Sequence, residues 1–265
     1  MTEKTLNNRK NGMVVLLLLV LVYVASVVLF IFGVSYDILP LTLISCVWFV
    51  FGWIFFLGLK VLKPQEALVL TLFGKYVGTL KNSGFYFVNP FCTAVNPAAG
   101  TKLNQSGDVK VLGAKQPSGG VDVSIDIPTK KISLKIMTLN NNRQKINDCL
   151  GNPVEIGIAV MWRVVDTAKA VFNVDNYKEY LSLQCDSALR NIVRIYPYDI
   201  APNVDTTGDG IADEGSLRGS SEVVAARIKD EIQDKVSEAG IEILEARITY
   251  LAYAPEIAAV MLQRQ

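Results

Sequence analysis

Two short segments of the sequence carry residue types that could bind a phosphate or a metal ion. The first is "LFGKYVGT", Leu72 to Thr79, in which a Gly-Lys pair is typical of loops that bind nucleotide phosphates. A P-loop needs G-x-x-x-x-G-K-[ST], but Val69 occupies the position of its first glycine and Tyr76 that of its magnesium-binding hydroxyl. The segment therefore predicts two strands joined by a turn at Gly74, and no phosphate site.

The second segment is "DTTGDGIADEGS", which has the acidic rhythm of a calcium-binding loop. Asp205, Asp209 and Asp213 fall at positions that supply ligands in such loops. However, Thr207 takes the third position and Ser216 stands where a bidentate glutamate is needed, so a calcium ion would lack carboxylate oxygens. The three aspartates are a weak calcium candidate, and the sequence favours the alternative, a solvated acidic turn between two helices.

The chain of 265 residues contains no histidine, which removes imidazole zinc sites, histidine-activated nucleophiles and the commonest general base. Its four cysteines form no Cys-x-x-Cys pair, as expected of reduced cytosolic thiols. The 26 basic and 25 acidic residues give a net charge of +1 without a basic stripe, so nucleic acid is not a predicted partner. We predict no catalytic residues, no cofactor and no enzyme activity.

Two uncharged apolar runs near the N-terminus contribute strongly to the hydrophobic content of 51%. They are Met13 to Phe32 and Ile38 to Leu59. At 1.5 Å per residue each forms a helix of roughly 30 Å, the thickness of a bilayer core. A signal peptide would have a shorter apolar core and a cleavage site, and no second span would follow it at once. Residues 13–59 are therefore predicted to form a transmembrane helical hairpin, closed by the short turn "GVSYD".

Positive charges flank this hairpin at both ends. Lys4, Arg9 and Lys10 precede it, Lys60 and Lys63 follow it, and the turn has no Lys or Arg. Such residues are retained on the cytoplasmic side of a membrane. The sequence therefore predicts an integral protein of the plasma (inner) membrane whose N-terminal tail (residues 1–12), main domain and C-terminus are all cytoplasmic.

Alternating apolar residues predict antiparallel strands after the hairpin. "EALVLTLFG" and "VDVSIDI" have strand length, and "KISLKI" would direct Ile132, Leu134 and Ile136 inward. The longest pattern, "VEIGIAVMWRVV", places six apolar residues on one face: Val154, Ile156, Ile158, Val160, Trp162 and Val164. Such a pattern is typical of a sheet with one buried face.

Helical spacing follows these strands. One amphipathic helix is marked by an apolar stripe: Tyr177, Leu181, Cys185, Ala188, Ile192 and Tyr196. A second helix should begin after Ser220 or Ser221 and end at Gly240. The strand that starts at Ile241 changes its apolar phase after Ile243, which predicts a β-bulge. A last helix begins at Pro255, so the predicted fold is a membrane-anchored α+β domain of antiparallel sheet and packed helices.

The segment "GFYFVNPF", Gly84 to Phe91, is unusual because both of its faces are large and apolar. It is either a buried central strand or a wedge that enters the inner leaflet beside the hairpin, where aromatic side chains are favoured. In the second case the candidate membrane-contact residues are Phe85, Tyr86, Phe87 and Phe91.

Several long blocks together resemble the SPFH or Band 7 family of stomatins, prohibitins and flotillins, and most closely its bacterial membrane-anchored members. The blocks are "PQEALVLTLFGKYVGT", "GFYFVNPF", the segment from "NPVEIGIAVMWRVV" to "RIYPYD", and the segment from "SLRGSSEVVAARIKDEI" to the C-terminus. The resemblance implies two α/β subdomains and homo-oligomeric assembly on a membrane. It also implies a scaffold that organises lipid and protein microdomains and regulates membrane proteases or channels, with lipids and the protein itself as partners.

The resemblance also divides the chain into domains. A first SPFH subdomain is expected over residues 63–140 with an inserted hairpin arm at 92–130, a second over 141–253, and the start of a C-terminal helix over 254–265. The arm, with "DVKVL" and "VDVSIDI" as its strands, is either a contact to a neighbouring subunit or a plain surface loop. Two alternatives to a scaffold stay open: a monomeric membrane adaptor for one cytosolic partner, and a histidine-free enzyme subunit.

Overall fold

The structure is a computed structural model that describes residues 2–6, 11–103, 109–111, 129–141, 143–199 and 215–262. The chain forms two compact units. The N-terminal unit comprises Thr2–Asn96 and Thr129–Ser133, and the C-terminal unit comprises Pro97–Pro128 and Leu134–Gln265. The subdomain boundaries expected from the resemblance stay predictions.

Runs of helices and runs of strands follow one another along the chain, as expected of an α+β protein. The helices are α1 Gly12–Ser35, α2 Leu39–Phe51, α3 Thr167–Phe172, α4 Tyr177–Val193, α5 Ser221–Val236 and α6 Pro255–Leu262. The strands are β1 Leu59–Leu62, β2 Glu66–Leu72, β3 Lys75–Leu80, β4 Gly84–Phe87, β5 Thr93–Ala94, β6 Thr101–Leu103, β7 Val109–Val111, β8 Ile132–Ser133, β9 Met137–Asn140, β10 Gln144–Asn147, β11 Pro153–Val164 and β12 Ile241–Tyr253.

The first two helices form the predicted hairpin. Helix α1 and the segment Leu39–Gly58 have mean hydropathies of 3.3 and 2.1, and each is long and apolar enough to cross a membrane. The second segment is not α-helical throughout, because a 3-10 helix at Gly52–Gly58 follows α2. Tight 3-10 turns are common at helix ends and rise about 2 Å per residue, so the segment keeps the length that a span needs.

The buried residues of the hairpin recur every seven positions. They are Gly12, Leu19, Ser26 and Gly33 in α1, and Ser45 and Gly52 are also seven apart in the second segment, where Gly58 is buried outside this spacing. A Cβ added at Gly33 would lie 2.8 Å from Thr42 Cγ2, and one added at Gly52 would lie 3.0 Å from the Tyr23 hydroxyl oxygen. A seven-residue period belongs to two helices that cross at a shallow angle, and small residues let their backbones approach.

The sheet of the N-terminal unit is centred on β2. Strand β3 lies on one side of β2 in antiparallel register, and β5 and β8 also pair with β2. Strands β2 and β3 are joined by the two-residue turn Phe73–Gly74, which confirms the prediction of strand, turn and strand in place of a phosphate loop. The core of this unit consists of Leu62, Leu68, Leu70, Leu80, Tyr86 and Cys92.

The pattern of "KISLKI" gave a wrong prediction for part of its length. Only Ile132 and Ser133 pair, with Ala67 and Glu66 of β2, and Ile136 is 61% exposed. The chain then continues into β9, which pairs with β11 in the other sheet. An alternating pattern determines which side chains would share a face. A strand extends, however, only as far as a neighbouring strand forms backbone hydrogen bonds with it.

The sheet of the C-terminal unit is built around β11. Strand β12 lies along one edge of β11, and β9 and β10 pair with different parts of its other edge. All six residues predicted for the inner face of β11 are buried, at 3% exposure or less: Val154, Ile156, Ile158, Val160, Trp162 and Val164. The register between β11 and β12 shifts at Leu244, which confirms the predicted bulge after Ile243, and shifts again at Thr249.

The two long helices of this unit also match their predictions. The stripe on α4 is buried, and burial raises the pKa of the Cys185 thiol, which keeps this thiol protonated. Asn176 caps α4 by accepting hydrogen bonds from the backbone N–H groups of Lys178 and Glu179. Helix α5 begins at Ser221, and Gly240 follows the end of the helical segment in the left-handed conformation.

Two predicted features lie wholly or partly outside the described residues. In the arm, β7 pairs with the preceding strand β6, and the predicted strand "VDVSIDI" lies outside the described residues. The weak calcium candidate Asp205, Asp209 and Asp213 also lies outside the described residues.

The packing of the hairpin predicts that Gly33→Ile destabilises the protein. The new side chain would collide with Thr42 and force the two helices apart, at a cost of about 1–3 kcal/mol. Thermal unfolding in detergent, followed by tryptophan fluorescence, should show a lower Tm. Ala25→Ile adds similar bulk on an exposed face of α1 and is the matched control. Equal Tm changes for the two variants would contradict the packing described here.

Candidate membrane-contact site

Strand β4 lies directly beside the end of the second apolar segment. The 3-10 helix ends at Gly58, and β1 begins at the next residue without a linker. In the antiparallel pair of β1 and β4, Leu59 is opposite Phe87 and Val61 is opposite Phe85. The backbone N–H of Val88 also donates to the Gly58 carbonyl oxygen at 2.9 Å. The predicted aromatic segment is therefore fixed at the base of the hairpin.

Close contacts between backbones hold the hairpin on β4. A Cβ added at Gly12 would lie 2.8 Å from the backbone carbonyl carbon of Phe85. One added at Gly58 would collide with the Val88 carbonyl oxygen and lie 2.9 Å from the Phe87 ring. Phe85 and Phe87 share the face of β4 that is opposite to Tyr86, and both are half-buried. They pack against the helices and remain partly accessible.

Tyr86 corrects the prediction that the whole aromatic segment contacts the membrane. Its side chain is 4% exposed and belongs to the core of the N-terminal unit. The hydroxyl donates to the backbone carbonyl of Asn82 at 2.8 Å, and burial raises the pKa of this tyrosine. Because successive side chains of a strand point to opposite faces, Tyr86 cannot share the surface of Phe85 and Phe87. Strand β4 is also not a central strand, since β1 is its only partner among the described strands.

Two phenylalanines are largely exposed to solvent. Phe73 lies in the turn between β2 and β3, and Phe91 lies in the loop between β4 and β5. Phe73 is 87% exposed and Phe91 is 60% exposed. Their rings stack with centroids 6.4 Å apart and planes 26° apart. The register of β2 with β5 accounts for this pair, because Leu70 lies opposite Ala94 and Thr71 opposite Thr93, which places positions 73 and 91 opposite each other. Phe91 was a predicted contact residue, whereas Phe73 was not.

The backbone at Phe73 makes this exposure unusual. Phe73 has φ +48° and Gly74 has φ +82°, as in a type I′ turn, in which Asn-Gly is the favoured pair. A bulky residue with positive φ costs about 1–2 kcal/mol. The turn therefore carries a residue that is strained and that buries little of its ring in the chain itself. A large apolar residue before the glycine of a two-residue turn is the sequence signal that could have identified Phe73.

We use the name aromatic surface for four phenylalanines of the N-terminal unit: Phe73, Phe85, Phe87 and Phe91. Phe87 is paired with Leu59, the first residue after the hairpin's second segment. Phe91 follows Phe87 by four residues, so the two Cα atoms are at most roughly 14 Å apart. The surface is thus apolar and lies close to the point where the second apolar segment ends.

Charged groups elsewhere are engaged in structural contacts. Arg163 Nε lies 2.6 Å from Glu242 Oε2. The Asp148 carboxylate accepts hydrogen bonds from the backbone N–H groups of Leu150 and Asn152 at 2.9 and 2.7 Å. Within the described ranges, no three or more Cys, Asp or Glu side chains form a group that could hold a metal ion.

Comparison with known families separates the two apolar helices from the rest of the chain. A family model for the SPFH domain / Band 7 family matches residues 60–265. This chain belongs to the SPFH family. The match begins at the second residue of β1, so both apolar helices precede the SPFH domain.

Membership confirms the resemblance found in the sequence and the expected fold class. SPFH proteins are commonly membrane-associated scaffolds and are generally not enzymes. The two apolar helices near the N-terminus of this SPFH protein suggest that it is anchored in a membrane. No curated protein matches the chain.

The strained turn predicts that Phe73→Asn stabilises the folded protein. Asparagine adopts positive φ at lower cost, so the free energy of unfolding should rise by about 0.5–1 kcal/mol. Urea unfolding in detergent, followed by circular dichroism, would measure this change. Phe91→Asn is the control, because Phe91 does not have a positive φ and its replacement should not stabilise the fold. A destabilised Phe73→Asn variant would show that the phenylalanine is held by contacts within the chain.

Proposed function

We propose that this SPFH protein is a membrane-anchored scaffold that assembles laterally at the inner face of the cytoplasmic membrane and organises lipids and membrane proteins there. The hairpin provides the anchor, the aromatic surface sets the depth of the domain, and copies confined to two dimensions meet at a raised effective concentration. The family and the two apolar helices support the proposal.

The observation that carries the proposal is a contact between the segments on either side of the hairpin. Thr5 forms a parallel bridge with Thr79 of β3. The Leu6 N–H donates to the Thr79 carbonyl, and the Thr79 N–H donates to the Lys4 carbonyl, both at 2.8 Å. Residues before the first apolar helix therefore pair with residues after the second. If both helices cross the bilayer, this pairing requires both flanks on one side.

A salt bridge and close packing reinforce this contact. Lys81 Nζ lies 2.6 Å from Glu3 Oε2, and a Cβ added at Gly78 would lie 2.6 Å from Leu6 Cγ. The flanks carry the lysines and arginines of the hairpin, so the side that they share is the cytoplasmic one by the positive-inside rule.

The aromatic surface supports a second point of attachment. Aromatic side chains favour the region of the lipid headgroups. Phe73 and Phe91 present exposed rings in the same unit as the hairpin. A domain held by two spans and by such rings would keep a constant orientation, and would present the same lateral surface to lipids, to further copies and to client proteases or channels.

Cysteine labelling tests the proposed topology. In intact cells, Tyr36→Cys in the turn should react with a membrane-impermeant maleimide, whereas Thr2→Cys and Lys75→Cys should react only after permeabilisation. All three positions are exposed, and the exposed native Cys46 and Cys149 are first replaced by serine. Labelling of Thr2→Cys from outside would contradict the topology, since it would place the N-terminal flank outside the cell.

A fluorescent label tests the depth of the aromatic surface. In proteoliposomes, an environment-sensitive dye on Phe73→Cys should emit at shorter wavelength and be quenched by lipids with a nitroxide near the headgroup. The control is Gln65→Cys, an exposed position that directly precedes β2, so the seven residues of the strand separate it from Phe73 by roughly 20 Å or more. Equal quenching at both positions would contradict a membrane contact at Phe73.

A further inference from the structure

Strand β12 forms an outer edge of the C-terminal sheet. Strand β11 lies along one side of it, and none of the described strands lies along the other side. The strand is 13 residues long and contains no proline. Long edge strands carry a row of unpaired backbone groups, and proteins usually cover or interrupt them.

Helix α5 forms hydrogen bonds only with the beginning of this edge. The Ile243 N–H donates to Gln233 Oε1 at 2.7 Å, and Gln233 Nε2 donates to the Ile241 carbonyl oxygen at 3.2 Å. From Leu244 to Leu251, no strand or side chain in the described part of the chain bonds the backbone on the outer side. The outer backbone groups are therefore bonded at one end of the edge and have no hydrogen-bond partner along the rest of it in the described part of the chain, although Ala246 is only 7% exposed.

The open part of the edge borders a groove of about 570 Å³. Residues 244–248 of β12 line one side of the groove, and Ser221, Glu222, Ala225, Ala226 and Lys229 of α5 line the other. On the strand, Glu245 and Arg247 pair with each other while remaining 40% and 68% exposed. Opposite charges thus lie on either side of Ala246.

We propose that β12 of a second copy pairs antiparallel with this edge, around a two-fold axis at Ala246. This arrangement places Glu245 of each copy opposite Arg247 of the other, and Leu244 opposite Ile248. Such an interface is isologous and joins the two four-stranded sheets into one. The inference rests on the proposed lateral assembly and names the surface that produces it.

The charges select this register over its neighbours. An axis at Arg247 would put two arginines directly opposite each other, which is destabilising. An axis at Ile248 would put Arg247 opposite Thr249 and Glu245 opposite Leu251, so both charges would lose an oppositely charged partner. Only the axis at Ala246 gives each charged residue its complement in the second copy.

The same two-fold axis also makes the exposed side chains of α5 complementary to those of α5 in the second copy. A two-fold reverses the direction of the helix, so Glu222 of one copy faces the end that carries Lys229 in the other. Between these charges lie Ala225 and Ala226, whose small side chains allow two helices to approach closely. The helix and the strand that line the groove are therefore both self-complementary under one symmetry operation. A closed two-fold contact produces pairs, and a larger assembly would be built from such pairs through another surface.

Disulfide formation tests the pairing in the full-length protein. With Cys46 and Cys149 replaced by serine, Ala246→Cys should form a disulfide-linked dimer on mild oxidation. Directly opposed residues of antiparallel strands have Cα atoms about 4.5–5.5 Å apart, within the range of a disulfide. Ile248→Cys is the matched control and should crosslink at least about tenfold less, because two residues on each side of the axis separate the thiols by roughly 13 Å.

Charge exchange tests the register. Arg247→Glu and Glu245→Arg, each combined with Ala246→Cys, should lower the yield of dimer at least about tenfold, because like charges then face each other twice. The double exchange, Glu245→Arg with Arg247→Glu, restores opposite charges and should restore the yield. Circular dichroism of each variant checks that the fold is retained, and recovery in the double variant excludes a general loss of folding.

The outcomes separate this inference from the proposed function. The size of the detergent-extracted protein is measured in parallel. An oligomer in which Ala246→Cys forms no disulfide, or in which the exchanges have no effect, would overturn the β12 pairing and leave lateral assembly standing. A monomer would overturn both. A dimer formed through Ile248→Cys in place of Ala246→Cys would overturn the register, as would a double exchange that fails to recover. A different occupant of the edge, such as another protein or another segment of this chain, would also give no disulfide at Ala246.

Discussion

The contact between the hairpin and β4 is the constraint on which the rest of the N-terminal unit depends. Gly12 and Gly58 bring the two ends of the hairpin against β4 at distances that leave no room for a side chain. Since β1 continues from the second segment without a linker, the sheet begins where the helices end. An anchor joined through a flexible linker would leave the orientation of its domain free, whereas this one transmits the position of the helices to the strands.

The treatment of sheet edges differs between the two units. In the N-terminal unit, residues 2–6 pair with the outer side of β3, so a segment that precedes the hairpin protects an edge that follows it. In the C-terminal unit, Gln233 protects only the start of β12. For the proposed pairing between copies, the edge of β12 offers the simplest structural basis, because the outer edge of β3 is already paired.

If the aromatic surface contacts the membrane as proposed, Phe73 is a position whose function opposes the stability of the fold. Phe73 adopts positive φ where asparagine or glycine would be unstrained, and its ring is mostly exposed. Proteins tend to break local rules at positions that serve a purpose outside the fold. A lipid interface would supply the burial that the chain itself does not give to Phe73 and Phe91, and would thereby offset the strain of the turn.

The sequence by itself determined the features that depend on local periodicity: the hairpin, the inner face of β11, the stripe on α4 and the bulge after Ile243. These follow from side-chain spacing along one segment, which tertiary structure did not alter. The aromatic segment was also found, but only strand pairing decided that Tyr86 enters the core while Phe91 stacks on Phe73. The pairing of residues 2–6 with β3, the end of "KISLKI" after two paired residues and the open edge of β12 were likewise decided by tertiary structure. Each depends on which distant backbone lies alongside, and the spacing of residues within one segment carries no information about that neighbour.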